Sequence, residues 1–279
     1  MVHTIPANGA NIPAIGLGTW PLKGQECTGA VQAALDAGYR HVDTAAMYGN
    51  EREVGEGVRS HDRPRSGIFV TTKVWYDDIG DGDLQRAAEA SLQRLGFDHV
   101  DLLLIHWPNP DIPLADSIGG LCDTRKRGLA RNIGVSNFPT AMVDEAVSLA
   151  DEPICANQVE YHPFLNQDAV LAACRRHGMA MTSYAPIARA GDLFNEAVIR
   201  DLAKEKGRTE AQIVLRWHIQ QPGVAAIPKS ANPERIRANL AVEGFELTDA
   251  EMARISVLAR PGGRTISPDW SPRWDVEPA

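Results

Sequence analysis

A chain of 279 residues could hold two average domains, but a single eight-stranded barrel occupies about 250 residues, so one domain over 1–279 is the expectation. Apolar residues make up 44% and charged residues 23%, which excludes disorder as the main theme. The formal charge of -8 argues against a nucleic-acid backbone as partner, since that contact needs clustered Lys and Arg, and small molecules become the expected ligands.

In chain order, Asn8-Gly9 sits between two short extended stretches and predicts a hairpin within residues 1–13, placed at the bottom of the fold. An apolar run follows near Ala14 to Gly18. Ala30, Val31, Ala34 and Leu35 then recur at helical spacing before Gly38, a C-cap candidate. Two runs end in Asp43 and Lys73, and a second helical face, Leu84, Ala87, Ala88, Ser91, Leu92 and Leu95, stops at Gly96. Further runs end at His106, Ser136-Asn137, Gln158, Ser183-Tyr184 and Ile227-Pro228-Lys229. Helix starts are marked by the capping boxes Thr209/Gln212 and Thr248/Glu251 and by Asn232-Pro233. The helix with Trp217 and His218 reads as a packed face, and His41 as a core histidine. The last periodic helix carries Met252, Ile255 and Leu258, and the tail, residues 261–279, is rich in Pro, Gly and Trp and should be irregular. Trp270 and Trp274 in it either cover a pocket or simply dock the terminus.

Eight buried runs with helical segments between them make an α/β fold, the (β/α)8 TIM barrel, the economical architecture, with an N-terminal hairpin and an irregular C-terminal tail. A doubly wound sheet loses support because no Gly-x-Gly-x-x-Gly follows any run. The four cysteines, Cys27, Cys122, Cys155 and Cys174, are scattered without Cys-x-x-Cys spacing, so neither a disulfide framework nor a metal site is expected. The N-terminus has no basic and apolar leader pattern, and no apolar stretch approaches the ~20 residues that span a bilayer. A cytoplasmic monomer is the default expectation.

In a barrel, polar residues at successive strand ends point into one mouth. Asp43, Tyr48, Lys73 and His106 follow three consecutive strands and can converge there. A phenol with a pKa of about 10 is a weak acid at neutral pH, and bringing it into range takes ~4 kcal/mol. Lys73 about 4 Å from Tyr48 supplies about that much at an effective dielectric of about 20, provided Asp43 keeps the lysine charged. A neutral His106 could then donate to a substrate carbonyl oxygen. The bland alternative is a buried Asp43–Lys73 pair beside an ordinary Tyr and His.

The stretch from Gly38 through Asp43, Tyr48 and Glu51 to Gly55 resembles the signature of the aldo-keto reductases. So do Lys73, His106-Trp107-Pro108 and Gly134-Val135-Ser136-Asn137-Phe138, and the likeness extends from the Asn8-Gly9 hairpin to about Asn239. The resemblance implies that Asp43, Tyr48, Lys73 and His106 form the catalytic tetrad, with Tyr48 as general acid in carbonyl reduction. It implies further that Ser136, Asn137 and Gln158 bind a nicotinamide carboxamide and that Tyr184 stacks on the ring. Lys229, Ser230 and Arg235 would meet a ribose 2'-phosphate, with Asn239 nearby, so NADPH is the expected cofactor. Ala238 departs from the pattern by standing where many relatives carry Glu.

The same resemblance implies that Trp20, Trp75 and Trp107, each just after a barrel strand, line an apolar substrate pocket. The connections Asn109 to Ala115 and Ile187 to Asp192 are short, as in bacterial members similar to 2,5-diketo-gluconate reductases, and imply an open pocket for small keto-sugars, dicarbonyls or aromatic aldehydes. Two competing readings stay open: a barrel aldolase using Lys73 as a Schiff base, and a non-catalytic nicotinamide-nucleotide sensor.

Overall fold

The structure, a computed structural model, describes residues 3–188 and 190–275. The first two residues of the expected hairpin segment, Met1 and Val2, lie outside the described residues, as do Arg189 in the Ile187 to Asp192 connection and the last four of the tail.

Asn8 and Gly9 join β1 (Thr4–Ala7) to β2 (Ala10–Pro13) as an antiparallel pair, with φ of 44° and 92° at the two turn residues. Positive φ at both positions is what a two-residue hairpin needs, and Asn-Gly supplies it at least cost. The Asn8 side-chain amide also donates to the carbonyls of Ile154 (2.7 Å), the first residue of one barrel strand, and His177 (2.8 Å), the residue that ends the helix before the next strand, which fastens the hairpin to the barrel bottom.

Eight parallel strands follow among the described residues: β3 (Leu17–Gly18), β4 (His41–Asp43), β5 (Phe69–Val74), β6 (Val100–Ile105), β7 (Ala130–Ser136), β8 (Ile154–Glu160), β9 (Ala180–Tyr184) and β10 (Val224–Ala226). Each pairs with its sequence neighbour in one continuous order. The sheet closes on itself where Ile15 bridges Ala226: Gly16 N–H donates to the Ala226 carbonyl (2.9 Å), and Ala226 N–H to the Ala14 carbonyl (2.8 Å). This closure is the expected (β/α)8 barrel. Every residue of β6 and β8 is buried, because helices cover the outer face while side chains fill the inside. Gly18 is required at the seam, since a Cβ there would stand 2.6 Å from the Ile227 carbonyl oxygen.

The outer layer comprises α1 (Gly24–Ala37), α2 (Glu51–Arg59), α3 (Asp83–Leu95), α4 (Leu114–Lys126), α5 (Thr140–Leu149), α6 (Asp168–Arg176), α7 (Gly191–Asn195), α8 (Ala197–Lys206), α9 (Glu210–Gln220), α10 (Pro233–Leu240) and α11 (Asp249–Ser256). Sequence signals place several ends correctly. α1 stops at Gly38 and α3 at Gly96, both left-handed; both capping boxes form; Asn232 accepts from Arg235 N–H ahead of Pro233. The four cysteine residues are buried, and burial pushes the thiols of Cys27, Cys155 and Cys174 up to about 12, far from nucleophilic range.

On α9, Trp217 and His218 are packed as expected. His218 Nε2 donates to the Pro186 carbonyl (3.0 Å), and burial pushes its pKa down to about 3. A depressed folded-state pKa means that the unfolded chain takes up a proton below about pH 6.5 that the fold refuses, so stability falls as pH falls between those values. His218 alone should contribute a slope of about 1.4 kcal/mol per pH unit there. Buried His41 and His106, also lowered by desolvation, add to it in the same sense. Urea unfolding at pH 5, 6 and 7 should show a shallower slope in His218→Gln, which keeps a donor for Pro186. An unchanged slope would remove His218 as a source.

Candidate active site

The upper ends of the strands surround a cavity of about 1120 Å³. Asp43 ends β4 and Lys73 lies one residue before the end of β5. Both are essentially inaccessible, and Lys73 Nζ donates to Asp43 Oδ1 at 2.5 Å. The same ammonium donates to the Thr44 carbonyl (2.9 Å) and to the Tyr48 hydroxyl oxygen (3.3 Å). Asp43 Oδ2 accepts from Gln158 Nε2 at 2.7 Å, so the buried carboxylate is compensated on both oxygens.

Tyr48 reaches this pair because its loop is pinned. It ends a 3-10 turn (Ala46–Tyr48) closed by left-handed Gly49, and its carbonyl accepts from Lys23 Nζ. Buried Asn50 donates to the carbonyls of Thr19 (3.2 Å) and Leu22 (3.0 Å) and accepts from Thr44 Oγ1 (2.7 Å). Glu51 binds Thr72 Oγ1 and Arg94 Nε, each at 2.6 Å. The residues after Tyr48 in the signature therefore serve as scaffold.

Burial would pull the Lys73 ammonium down, but the Asp43 charge, Tyr48 and the hydrogen bonds to both outweigh it, and its pKa sits above the ordinary lysine value. For Tyr48 the sequence-based expectation needs correction. Desolvation raises the phenol further than the Lys73 charge lowers it, and the net shift is upward from 10. The phenol thus keeps its proton across neutral pH, and the Lys73 ammonium is placed to stabilise a phenolate at this position rather than to ionise the resting group. His106 follows β6, and burial with the Lys73 charge holds it well below the usual imidazole range, so it is neutral. Its ring stands edge-on to Tyr48 at 5.5 Å. Asp43, Tyr48 and His106 all line the cavity.

Of the four residues expected at a nicotinamide, Asn137, Gln158 and Tyr184 line the cavity. Asn137 adopts φ 64°, a left-handed conformation that Asn tolerates better than most side chains. It donates to the His106 carbonyl (2.9 Å) and accepts from the Tyr184 hydroxyl (2.7 Å). Ser136 is set back from the wall: it is buried, and its hydroxyl donates to the Gln158 carbonyl (2.7 Å) and accepts from Asn137 Nδ2 (3.1 Å). At the other end of the cavity Lys229, Ser230, Arg235, Ala238 and Asn239 share the lining, with Ser230 Oγ accepting from Asn232 N–H (3.1 Å) beside the Arg235 guanidinium.

Trp20 and Trp107 line the same cavity, whereas Trp75 lines an adjoining recess and reaches the site through its ring, 5.2 Å from that of His106. Sequence reasoning read the connection after β9 only as short, and did not anticipate which of its residues line the cavity. Ala185, Pro186, Ile187 and Ala190 line the cavity, and Ala185, Ala188 and Ala190 all have positive φ, a strained arrangement without a sequence marker because alanine does not advertise it. Thr209 to Ala211 at the start of α9 also contribute; the capping box was the available signal, but it speaks only of a helix end.

A buried, compensated ammonium against a protonated phenol, with a neutral imidazole alongside, can donate a proton to a carbonyl oxygen and stabilise the charge that develops. A model of the aldo/keto reductase family matches residues 14–260. The 2,5-diketo-D-gluconic acid reductase B of Corynebacterium sp. (strain SHS752001) is 42% identical over 264 residues, covering 94% of this chain and 91% of that one. A solved structure described as a candidate 2,5-diketo-D-gluconic acid reductase B superposes with a TM-score of 0.96 at 45% identity, covering 99% and 98% of the two chains. A Bombyx mori aldo-keto reductase solved in complex with NADP gives a TM-score of 0.85 at 34% identity, with 92% of each chain covered.

Proposed function

Because this chain belongs to the aldo/keto reductase family of carbonyl oxidoreductases, we propose that it reduces aldehydes and ketones to alcohols with NADPH, using Tyr48 as the general acid. The observation that carries the reading is the Lys73 ammonium, kept charged by Asp43 and donating to the Tyr48 hydroxyl at the cavity wall beside neutral His106.

The donor set fits the cofactor. Arg235 in the first turn of α10, with Lys229 and Ser230 in the segment leading into it, suits a 2'-phosphate. Asn137 and Gln158 offer amides to a carboxamide, and the Tyr184 ring suits a flat heterocycle. Bound NADPH would supply hydride to the carbonyl carbon. The chain's own groups do the rest. Tyr48 O–H donates to the carbonyl oxygen, the Lys73 ammonium stabilises the phenolate this leaves, and Asp43 holds Lys73 in its charged form. His106 donates a second hydrogen bond to the same oxygen, and Trp20 and Trp107 shield the site with apolar surface. We take the protein to act as a single-domain cytoplasmic monomer on small carbonyl compounds.

A Schiff-base aldolase needs an unprotonated lysine, which the Asp43 pair opposes, and borohydride trapping would expose one. The test of reduction is loss of NADPH absorbance with methylglyoxal, glyceraldehyde, aromatic aldehydes and keto-sugars. Turnover supports it; tight NADPH binding without turnover of any of them favours the sensor instead. Arg235→Ala should weaken NADPH binding by roughly 10- to 100-fold, the loss of one charge-assisted hydrogen bond, and leave NADH binding nearly unchanged. Equal weakening of both nucleotides, measured by fluorescence titration, would remove Arg235 from the 2'-phosphate.

A further inference from the structure

We propose that Glu160 is a positioning residue of the substrate pocket: its buried carboxylate clamps the C-terminal tail so that Ile266 lines the pocket and Trp270 packs on Trp107 of its wall. The inference rests on the carbonyl-reductase reading of the cavity.

Glu160 ends β8, two residues beyond Gln158, and is fully buried. Its Oε1 accepts from Thr265 N–H (2.8 Å), Thr265 Oγ1 (2.6 Å) and His162 Nε2 (3.0 Å), and its Oε2 from Ile266 N–H (2.9 Å). A buried carboxylate is tolerated only when its oxygens are matched by donors, and here two consecutive tail amides supply half of them. Burial would raise this carboxyl, but the hydrogen bonds from His162 and Thr265 hold it below the ordinary range, so the clamp is ionised.

The tail needs such fastening because residues 263–275 form neither helix nor strand, and side chains must order them. A second fastener lies beyond: Asp275 accepts from Thr140 N–H (3.0 Å) and Thr140 Oγ1 (3.0 Å) at the start of α5. Between the two, Trp274 Nε1 donates to Ser267 Oγ (3.0 Å). The Trp270 ring meets those of Tyr76 (4.7 Å), Trp107 (5.2 Å) and Trp75 (5.9 Å). Ile266, held directly by Glu160, lines the same cavity as Tyr48 and His106. A strand-end carboxylate thus fixes where apolar tail surface meets the substrate.

Glu160→Gln presents an amide NH2 to donors that Glu satisfies, so it should loosen the tail without touching the reacting groups. With an aromatic aldehyde, KM should rise about tenfold while kcat and the NADPH Kd stay within about twofold, and adding Glu160→Gln to Trp270→Ala should raise KM no further than Trp270→Ala alone. Additive effects on KM, or equal losses in NADPH binding, would reduce Glu160 to a general core residue and overturn the proposal. Thr265→Val, which removes only the hydroxyl donor, should show the same pattern more weakly and serves if Glu160→Gln does not fold. Tryptic cleavage of the tail at Arg264 and Arg273 should be faster in either variant, and an unchanged rate would overturn the clamp. That last readout involves no carbonyl turnover, so it separates failure of the clamp from failure of the reductase reading.

Discussion

Replacing Tyr48 by Phe should lower kcat for carbonyl reduction by about 10²- to 10⁴-fold, the range associated with removing a positioned general acid, while NADPH still binds. The ring would keep its packing against Trp20 (5.2 Å) and His106 (5.5 Å), so the pocket keeps its shape. Only the proton donor and the oxygen that accepts from Lys73 are lost. Stopped-flow and steady-state rates of NADPH consumption, with nucleotide binding measured separately, provide the check. A variant that keeps more than about a tenth of wild-type kcat would transfer the acid role to another group, His106 first among them.

Lys73→Met should be costly twice. At 3.3 Å from the Tyr48 oxygen, the ammonium is worth about 5 kcal/mol to a developing phenolate at an effective dielectric of about 20, so turnover should fall on the order of 10³-fold. The substitution also leaves Asp43 buried with only Gln158 as a side-chain partner, a loss of about 3–5 kcal/mol of stability and roughly 10 °C in Tm. The double variant Asp43→Asn/Lys73→Met removes the stranded charge as well and should recover much of the lost stability but none of the lost rate. Recovery of rate in the double variant would mean that Lys73 acts only by neutralising Asp43. Unchanged stability in the single variant would contradict the description of the pair as buried and interdependent.

The two losses rest on residues that were legible for different reasons. Asp43, Lys73 and His106 close apolar runs, and a run buried on both faces marks its own end, so their convergence is legible in the sequence. Helix ends and one strand turn were equally legible where a local rule governs them: left-handed Gly38 and Gly96, the Thr209 and Thr248 capping boxes, and the Asn8-Gly9 hairpin. Ser136 was named by its motif, and in the structure it stands back from the cavity wall with its hydroxyl donating to the Gln158 carbonyl; which strand-end polar group faces the cavity depends on the barrel's radius and stagger, not on spacing. Trp75 sits one shell away for the same reason.

Local patterning thus determined the number and order of the barrel strands, the helix caps and the residues able to share one mouth, because each depends on contacts a few positions apart. Tertiary structure alone decided the sign of the Tyr48 shift, since burial and the Lys73 charge act in opposite directions and only distance and desolvation determine which is larger. It alone also joined Glu160 to Thr265 and Ile266 and laid Trp270 across Trp107, contacts between segments more than a hundred residues apart whose meeting no periodicity encodes.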